Sequence, residues 1–416
     1  MTQERVTATE FQQADGVGDW RVVDGAASAW YDAPSLSVGA ALAARIAGLT
    51  GGDGLPDVDL RASGVRVRIG GPSADLTGAD VELASVVSAA ARELGLAADP
   101  AALQVMRLVI DAANTPSVKD FWQTMLAYEP AGADSLRDPL RRDPAVSIRG
   151  LDEPRPLRNR IHVDVGRDPA AVDAVKAALG QEPFGAYELT LADNEGNEAD
   201  LVAGGELSTE TTDWLANFGA MTFYPTTSTE QAVALATAVA QLADDGGVPV
   251  LVDVRPDGVT IDSGKDQWED DEDAPLPAFV DLAAGVQKAA GELGLSADPT
   301  RLRFVQLGFD AVDVPAVRAF WTALLGYQHD PRLFLTDIYD PRRLNPVLFF
   351  QQLDPADEPR HHQRNRLHLE LAVPQDQVQH RVTAALSTGG RLISRTPNHH
   401  RLADPDGNEV AVIADL

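Results

Sequence analysis

Arg364-Asn365-Arg366-Leu367-His368-Leu369-Glu370 has a counterpart in the same chain: Arg158-Asn159-Arg160-Ile161-His162-Val163-Asp164, 206 residues earlier. Working outward, other matches appear in the same order. Leu94-Gly95-Leu96-Ala97-Ala98-Asp99-Pro100 returns as Leu293-Gly294-Leu295-Ser296-Ala297-Asp298-Pro299, and Phe121-Trp122 as Phe320-Trp321, both at an offset of 199. Gly196-Asn197-Glu198 returns as Gly407-Asn408-Glu409 at an offset of 211. Chance matches would scatter, whereas these keep their order and drift only by small insertions in the second copy. A period this long exceeds the ~20–50 residues of solenoid repeats, so a whole domain or domain pair is duplicated.

Each half divides again. In the first part of half one a helix rich in Ala and Leu is expected from Ser35 to about Leu49. Val65, Val67 and Ile69 then alternate with Arg66 and Arg68, the period of a half-buried strand, and a second helix follows from about Gly78 to Leu94. Half two repeats the order. Ser228-Thr229-Glu230-Gln231 opens a helix with a capping-box pattern, strands follow at 250–254 and 259–261, and a helix runs from about Ala278 to Leu293. The Asp-Pro pair is expected to close the last helix of each copy, because a residue before proline disfavours the helical region. The second part of each half reads strand, helix, strands, and then the same again, from Val105 in copy one and Phe304 in copy two. The resulting class is α+β, with boundaries near 100, 205 and 300.

Composition narrows the function. The formal net charge is −29, a field that repels phosphate backbones and anionic membranes. Nucleic acid and membrane are therefore not expected partners. No run approaches the ~20 apolar residues of a membrane span, and Met1 to Arg5 has neither the basic nor the apolar part of a signal peptide, so a cytoplasmic location is expected. The chain has no cysteine, which leaves His, Gln, Asp and Glu as the ligands for any metal. The acidic run Asp266 to Asp273 lacks the central glycine of an EF-hand loop and reads as a solvated loop.

At Phe320-Trp321-Thr322-Ala323-Leu324-Leu325-Gly326-Tyr327, the Arg364 to Glu370 stretch and Asp404-Pro405-Asp406-Gly407-Asn408-Glu409, the chain resembles the glyoxalase/bleomycin-resistance/dioxygenase (vicinal oxygen chelate) superfamily, in its glyoxalase-like branch. Copy one shows the same signs at Phe121-Trp122, Arg158 to Asp164 and Asp193 to Glu198. The segments around Trp20, Pro56-Asp57-Val58 and Leu76-Thr77-Gly78-Ala79-Asp80 resemble pterin-4a-carbinolamine dehydratases. The resemblances imply four modules: pterin-dehydratase-like at 18–100 and 211–298, and glyoxalase-like, of the βαβββ half-barrel type, at 104–203 and 301–416. The two glyoxalase-like modules could pair within the chain or with a second chain.

The dehydratase chemistry of that family rests on histidines. Their places hold Gly54-Leu55, Gly70 to Ala74 and Val248-Pro249, so no imidazole with a pKa near neutrality is present to move a proton. Pro56 and Asp57 read as turn residues. The glyoxalase resemblance implies a divalent metal on side chains of three strands. Its positions fall on Arg107, His162 and Asp200 in copy one and on Gln306, His368 and Ala411 in copy two. Neither copy has a full set, so no bound metal cofactor and no catalytic residue is assigned. The expected function is a small-molecule-binding protein with catalytically degenerate modules. The alternative is a metal-dependent lyase, isomerase or dioxygenase working through His368, Gln306 and a third ligand such as Gln352 or Glu370.

Candidate ligand-binding residues follow from strand periodicity. Asp164 and Glu370, two residues beyond the histidines, share their face, and Gln306 projects opposite to Val305 and Leu307. One pocket holding His368, Glu370 and Gln306 is expected on the second glyoxalase-like module. Arg366 could grip a carboxylate, and Trp321 either packs in the core or stacks on a ligand. His361-His362 and His399-His400 read as loop or surface pairs.

Overall fold

In the computed structural model, residues 5–51, 54–71, 75–265, 267–270 and 274–414 are described. Residues 1–4, Asp266 and 271–273 lie outside this set, and with them most of the N-terminal reading and half of the acidic run. The chain forms two compact units, one within 1–103 and 204–302, the other from 104–203 and 303–414.

In the first unit both small modules contribute to one ten-stranded sheet. Asp57–Arg61 of the first module pairs antiparallel with Leu251–Arg255 of the second, Val58 opposite Val254 and Leu60 opposite Val252. These apolar residues enter a core with helices Leu36–Thr50, Gly78–Glu93, Thr229–Gly246 and Pro277–Glu292. The alternate residues are charged and buried. Asp59 accepts from Arg66 and Arg255, both at 2.6 Å, and Arg61 meets Asp253 at 2.8 Å. Burial alone would raise the Asp59 carboxyl; Arg255 and Arg66 instead hold it well below the carboxylate range.

Three expectations change here. Asp57 is not a turn residue: it starts a strand, is buried, and accepts from Arg68 at 2.6 Å. The last helices end before the Asp-Pro pairs. Gly95 and Gly294 take φ of +74° and +70°, and Leu96 and Leu295 donate back to Ala91 and Ala290, a glycine-closed helix end. Asp99 and Asp298 instead cap short 3-10 turns. At Ser228 the cap is half a box: its hydroxyl accepts from Gln231, whose side chain reaches back to Thr227.

In the second unit the two copies exchange strands. One sheet runs, in order, Arg391–Thr396, His399–Ala403, Glu409–Ile413, Leu367–Ala372, Val105–Ala112, Ala145–Gly150, Ser135–Arg137 and Glu129–Pro130. The other runs Thr190–Ala192, Glu198–Ala203, Ile161–Arg167, Arg303–Ala311, Val347–Gln352, Ile338–Tyr339 and Gln328–His329. We call them the His368 sheet and the His162 sheet. Strand order is the same in both copies, with Arg391–Thr396 extra in the second. Each sheet joins the first half of one copy to the second half of the other. The apolar faces, with Leu108 and Leu369 from one and Val163 and Leu307 from the other, share one core with Trp122 and Trp321. The modules are therefore not self-contained half-barrels.

Among the described residues, no helix is long and apolar enough to cross a membrane.

Candidate functional site

On the His162 sheet the register places Val347, Gln306, Asp164, Asp200 and Thr190 side by side on five strands. His162 lies one step along, opposite Gly308. Gln306 Nε2 donates to Asp164 Oδ2 at 2.9 Å, and His162 Nε2 is 3.6 Å from Asp164 Oδ1. One ligand atom from each of His162, Asp164 and Asp200 lies within 4.8 Å of the others. His162, Asp164 and Gln306 are buried. The imidazole meets Phe349 edge-on at 5.5 Å. A Cβ at Gly308 would overlap both rings, so glycine is what lets the imidazole lie across this strand.

The His368 sheet has the same frame with other residues. Its corresponding row is Ala145, Arg107, Glu370, Ala411 and Arg401. Val109 stands opposite His368, where Gly308 stands opposite His162. Glu370 accepts from Arg149 at 2.7 Å and has Arg107 at 3.9 Å. His368 Nδ1 is 3.9 Å from Asp111. Burial lowers the His368 pKa, against the pull of Asp111, which favours the neutral ring.

The two rows regroup the expected ligands. Gln306 sits with His162, Asp164 and Asp200, whereas His368 and Glu370 sit with Arg107. A single pocket holding Gln306, His368 and Glu370 does not form, because Gln306 is on the other sheet. The two incomplete sets, re-sorted across the copies, give one set of oxygen and nitrogen ligands and one row that holds Arg107 and Ala411. The first fits a divalent cation; the second does not, since a guanidinium repels one and a methyl cannot ligate. Gln352 turns away and donates to the carbonyls of Ala311, Val312 and Leu353.

Arg366 and Trp321 are not ligand-facing. Each is about 1% exposed or less. The Arg366 guanidinium donates to Asn197 Oδ1 at 2.8 Å and to the carbonyls of Arg155, Leu157 and Gly196. Arg160 does the same in the other copy, to Asn408 and the carbonyls of Arg360, Gln363 and Asp406. The Arg160 N–H donates to Asn365 Oδ1 at 2.9 Å, and the Arg366 N–H to Asn159 Oδ1 at 2.8 Å. The Arg-Asn-Arg stretches thus form a reciprocal clasp between copies. Trp321 Nε1 donates to Asp404 at 3.0 Å and Trp122 Nε1 to Asp193 at 3.1 Å, tying each helix to its Gly-Asn turn. Burial pushes the Asp404 carboxyl up to about 6, against hydrogen bonds from Asn408 and Trp321.

The histidine pairs have places that patterning alone did not reveal. His361 and His362 lie on a short helix with rings 5.1 Å apart. His399 lines a cavity of about 200 Å³ on the His368 sheet, together with Arg149, Arg364, Arg401 and His368.

Residues 107–202 and 306–413 each match the family model of the Glyoxalase-like domain. The second unit accordingly carries two glyoxalase-like domains. Among solved structures, the chain is similar to a point mutant of glyoxalase I from Zea mays, at 10% identity over 75% of this chain and 94% of that one, TM-score 0.39. It is also similar to the cppA protein from Streptococcus pneumoniae TIGR4, at 9% identity over 74% and 97%, TM-score 0.35. A glyoxalase/bleomycin resistance protein from Albidiferax ferrireducens T118 matches at 16% identity over 26% and 95%, TM-score 0.20. No curated protein matches the chain in sequence.

Proposed function

We propose that this is a small-molecule-binding protein whose two glyoxalase-like sheets have diverged, the His162 sheet keeping a divalent-cation site. The observation that carries the reading is the convergence of His162, Asp164 and Asp200 of copy one within 4.8 Å, beside Gln306 of copy two. An imidazole with carboxylate and amide oxygens suits Mn, Ni, Fe or Zn. A bound ion there would supply Lewis acidity to a ligand oxygen. The metal-dependent enzyme working through His368 and Gln306 is not favoured, because those side chains stand on different sheets.

The first unit fits a pair of degenerate pterin-dehydratase-like modules in a supporting role. All eight histidines of the chain lie at 162 or beyond 328, so this unit has no imidazole base.

Calorimetric titration of the metal-stripped chain with Mn²⁺ and Ni²⁺ tests the cation site. One saturable ion per chain is expected, lost in His162→Ala and Asp200→Ala and kept in His368→Ala. Binding that survives both of the first two variants contradicts the reading.

A further inference from the structure

The His368 sheet keeps the frame of the His162 sheet while its charge is changed one position at a time. Arg107 stands where Gln306 stands, Arg149 where Gln351 stands, Arg401 where Thr190 stands, and Ala411 where Asp200 stands. Every one of these four exchanges makes the His368 face more positive by one unit. Four further charged positions are matched, Asp111 with Asp310, Glu370 with Asp164, Glu409 with Glu198 and Arg364 with Arg158, while Arg303 and Arg167 of the His162 sheet correspond to Gln104 and Val373. In a chain of net charge −29, this face is at those four positions more positive than its counterpart, by one unit each.

The geometry shows what that charge can do. Glu409 Oε2 is shared by two guanidiniums, accepting from Arg364 Nε at 2.9 Å and from Arg401 Nη2. Its counterpart Glu198 pairs with Arg158 at 2.8 Å, and Thr190 takes the second arginine's place. Arg149 donates one hydrogen bond, to Glu370. A guanidinium is a fork of donors, so these arginines have N–H groups to offer a further acceptor. They line the cavity of about 200 Å³ together with Asp111, Asp152, Val410 and Ala411; Arg364 also donates to Asp152 at 2.7 Å, which leaves Arg149 and Arg401 as the less engaged donors. Ala411 leaves open the space that a carboxylate would fill. His368 is buried, lines the same cavity, and its Nδ1 has no hydrogen-bond partner. A buried polar atom without a partner is costly, and a ligand oxygen in the cavity would remove that cost.

We propose that this cavity is a binding site for a short hydroxycarboxylate, its carboxylate held by Arg149, Arg364 and Arg401 and its hydroxyl by His368 Nδ1. Arginine forks match the planar, two-oxygen carboxylate. The volume is small against the ~300–1,000 Å³ of sites for drug-sized ligands, which selects a compact metabolite. The site is distinct from the cation site proposed on the other sheet.

Malate and inorganic phosphate are the probes, titrated by calorimetry into the full chain stripped of metal. Saturable malate binding is expected, weakened ~10-fold or more in Arg149→Gln and Arg401→Gln, since losing a charge-assisted hydrogen bond costs at least a factor of that order. Ala411→Asp should abolish it, with the melting temperature checked to show that the variant folds. Arg158→Gln, on the other sheet, should leave it unchanged. Mn²⁺ titration of the same arginine variants should match the parent, so failure of the anion site and failure of the cation site are read separately. No saturable malate binding, binding undiminished in both arginine variants, or phosphate bound in preference to malate would overturn the proposal.

Discussion

His162 and His368 stand at the same place in two sheets of the same frame, yet their neighbours differ in kind. Around His162 are Asp164, Asp200 and Gln306; around His368 are Glu370 tied to Arg149, with Arg107 and Ala411. His162 lies over a glycine and leans toward Asp164, whereas His368 faces a valine across the strand pair and has Asp111 as its nearest carboxylate. The lesson is about duplication. A single-copy ancestor pairing with itself would have two identical sites. Once both copies lie in one chain, each sheet draws strands from both, and substitutions can make one face cationic without touching the other. Arg107 and Asp200 belong to the same copy but to different sheets, and their opposite charges do not conflict.

The largest effect expected is on cation binding. Asp200→Ala should weaken Mn²⁺ by more than the ~10–100-fold that loss of a ligand's hydrogen-bond partner costs, while Glu370→Ala on the other sheet should leave it unchanged in the same titration. Next is the clasp. Arg366→Met strips the donors from Asn197 and three carbonyls, and should cost about 3 kcal/mol in urea unfolding. Arg160→Met should cost a similar amount, because its partners mirror those of Arg366; a large inequality would break the symmetry. Gly308→Ala is smaller, about 1–3 kcal/mol as for overpacking, and should also lower Mn²⁺ affinity by displacing His162.

Titrations give the finest contrast. The folded pKa of His368 is lowered below 6.5, so its neutral form is favoured on folding. Its contribution to stability is present above pH 6.5 and is lost as the pH falls through the folded value. Asp404 has the opposite sign: raised from 3.8 to about 6, it contributes below pH 3.8 and its contribution is lost as the pH rises through 6. Histidine-resolved NMR should find the His368 midpoint below 6.5. A midpoint at or above 6.5 would show that the buried, unpartnered setting is wrong. Pterin carbinolamine turnover should stay at the uncatalysed rate.

Much of this was legible in the chain. Repeated strings gave the duplication, and patterning gave the longer strands of both sheets, though not the short pairs at 129–137 and 328–339, and the faces of His368, Glu370 and Gln306. Which strand lies beside which was not legible. Alternation tells a strand which side to bury, and either copy's apolar face would satisfy Leu367 or Ile161 equally. The ligand sets were therefore sorted by copy, and one site looked incomplete in two places. The arginines of Arg-Asn-Arg misled for a different reason: a guanidinium that satisfies backbone carbonyls has the same sequence signature as one that grips a ligand. Ala26–Asp32 escaped notice because its Ala-rich run has no strand alternation, and Arg391–Thr396 because it is exposed along its whole length.

The central claim is that one cation site is built from both copies on the His162 sheet. Anomalous diffraction from crystals soaked in cobalt tests it most directly. The account predicts one strong peak, ~2.0–2.2 Å from His162 Nε2 and from a carboxylate oxygen of Asp164 or Asp200, with Gln306 beside it. A peak at His368 or at the His361–His362 pair, or no peak at His162, would contradict it.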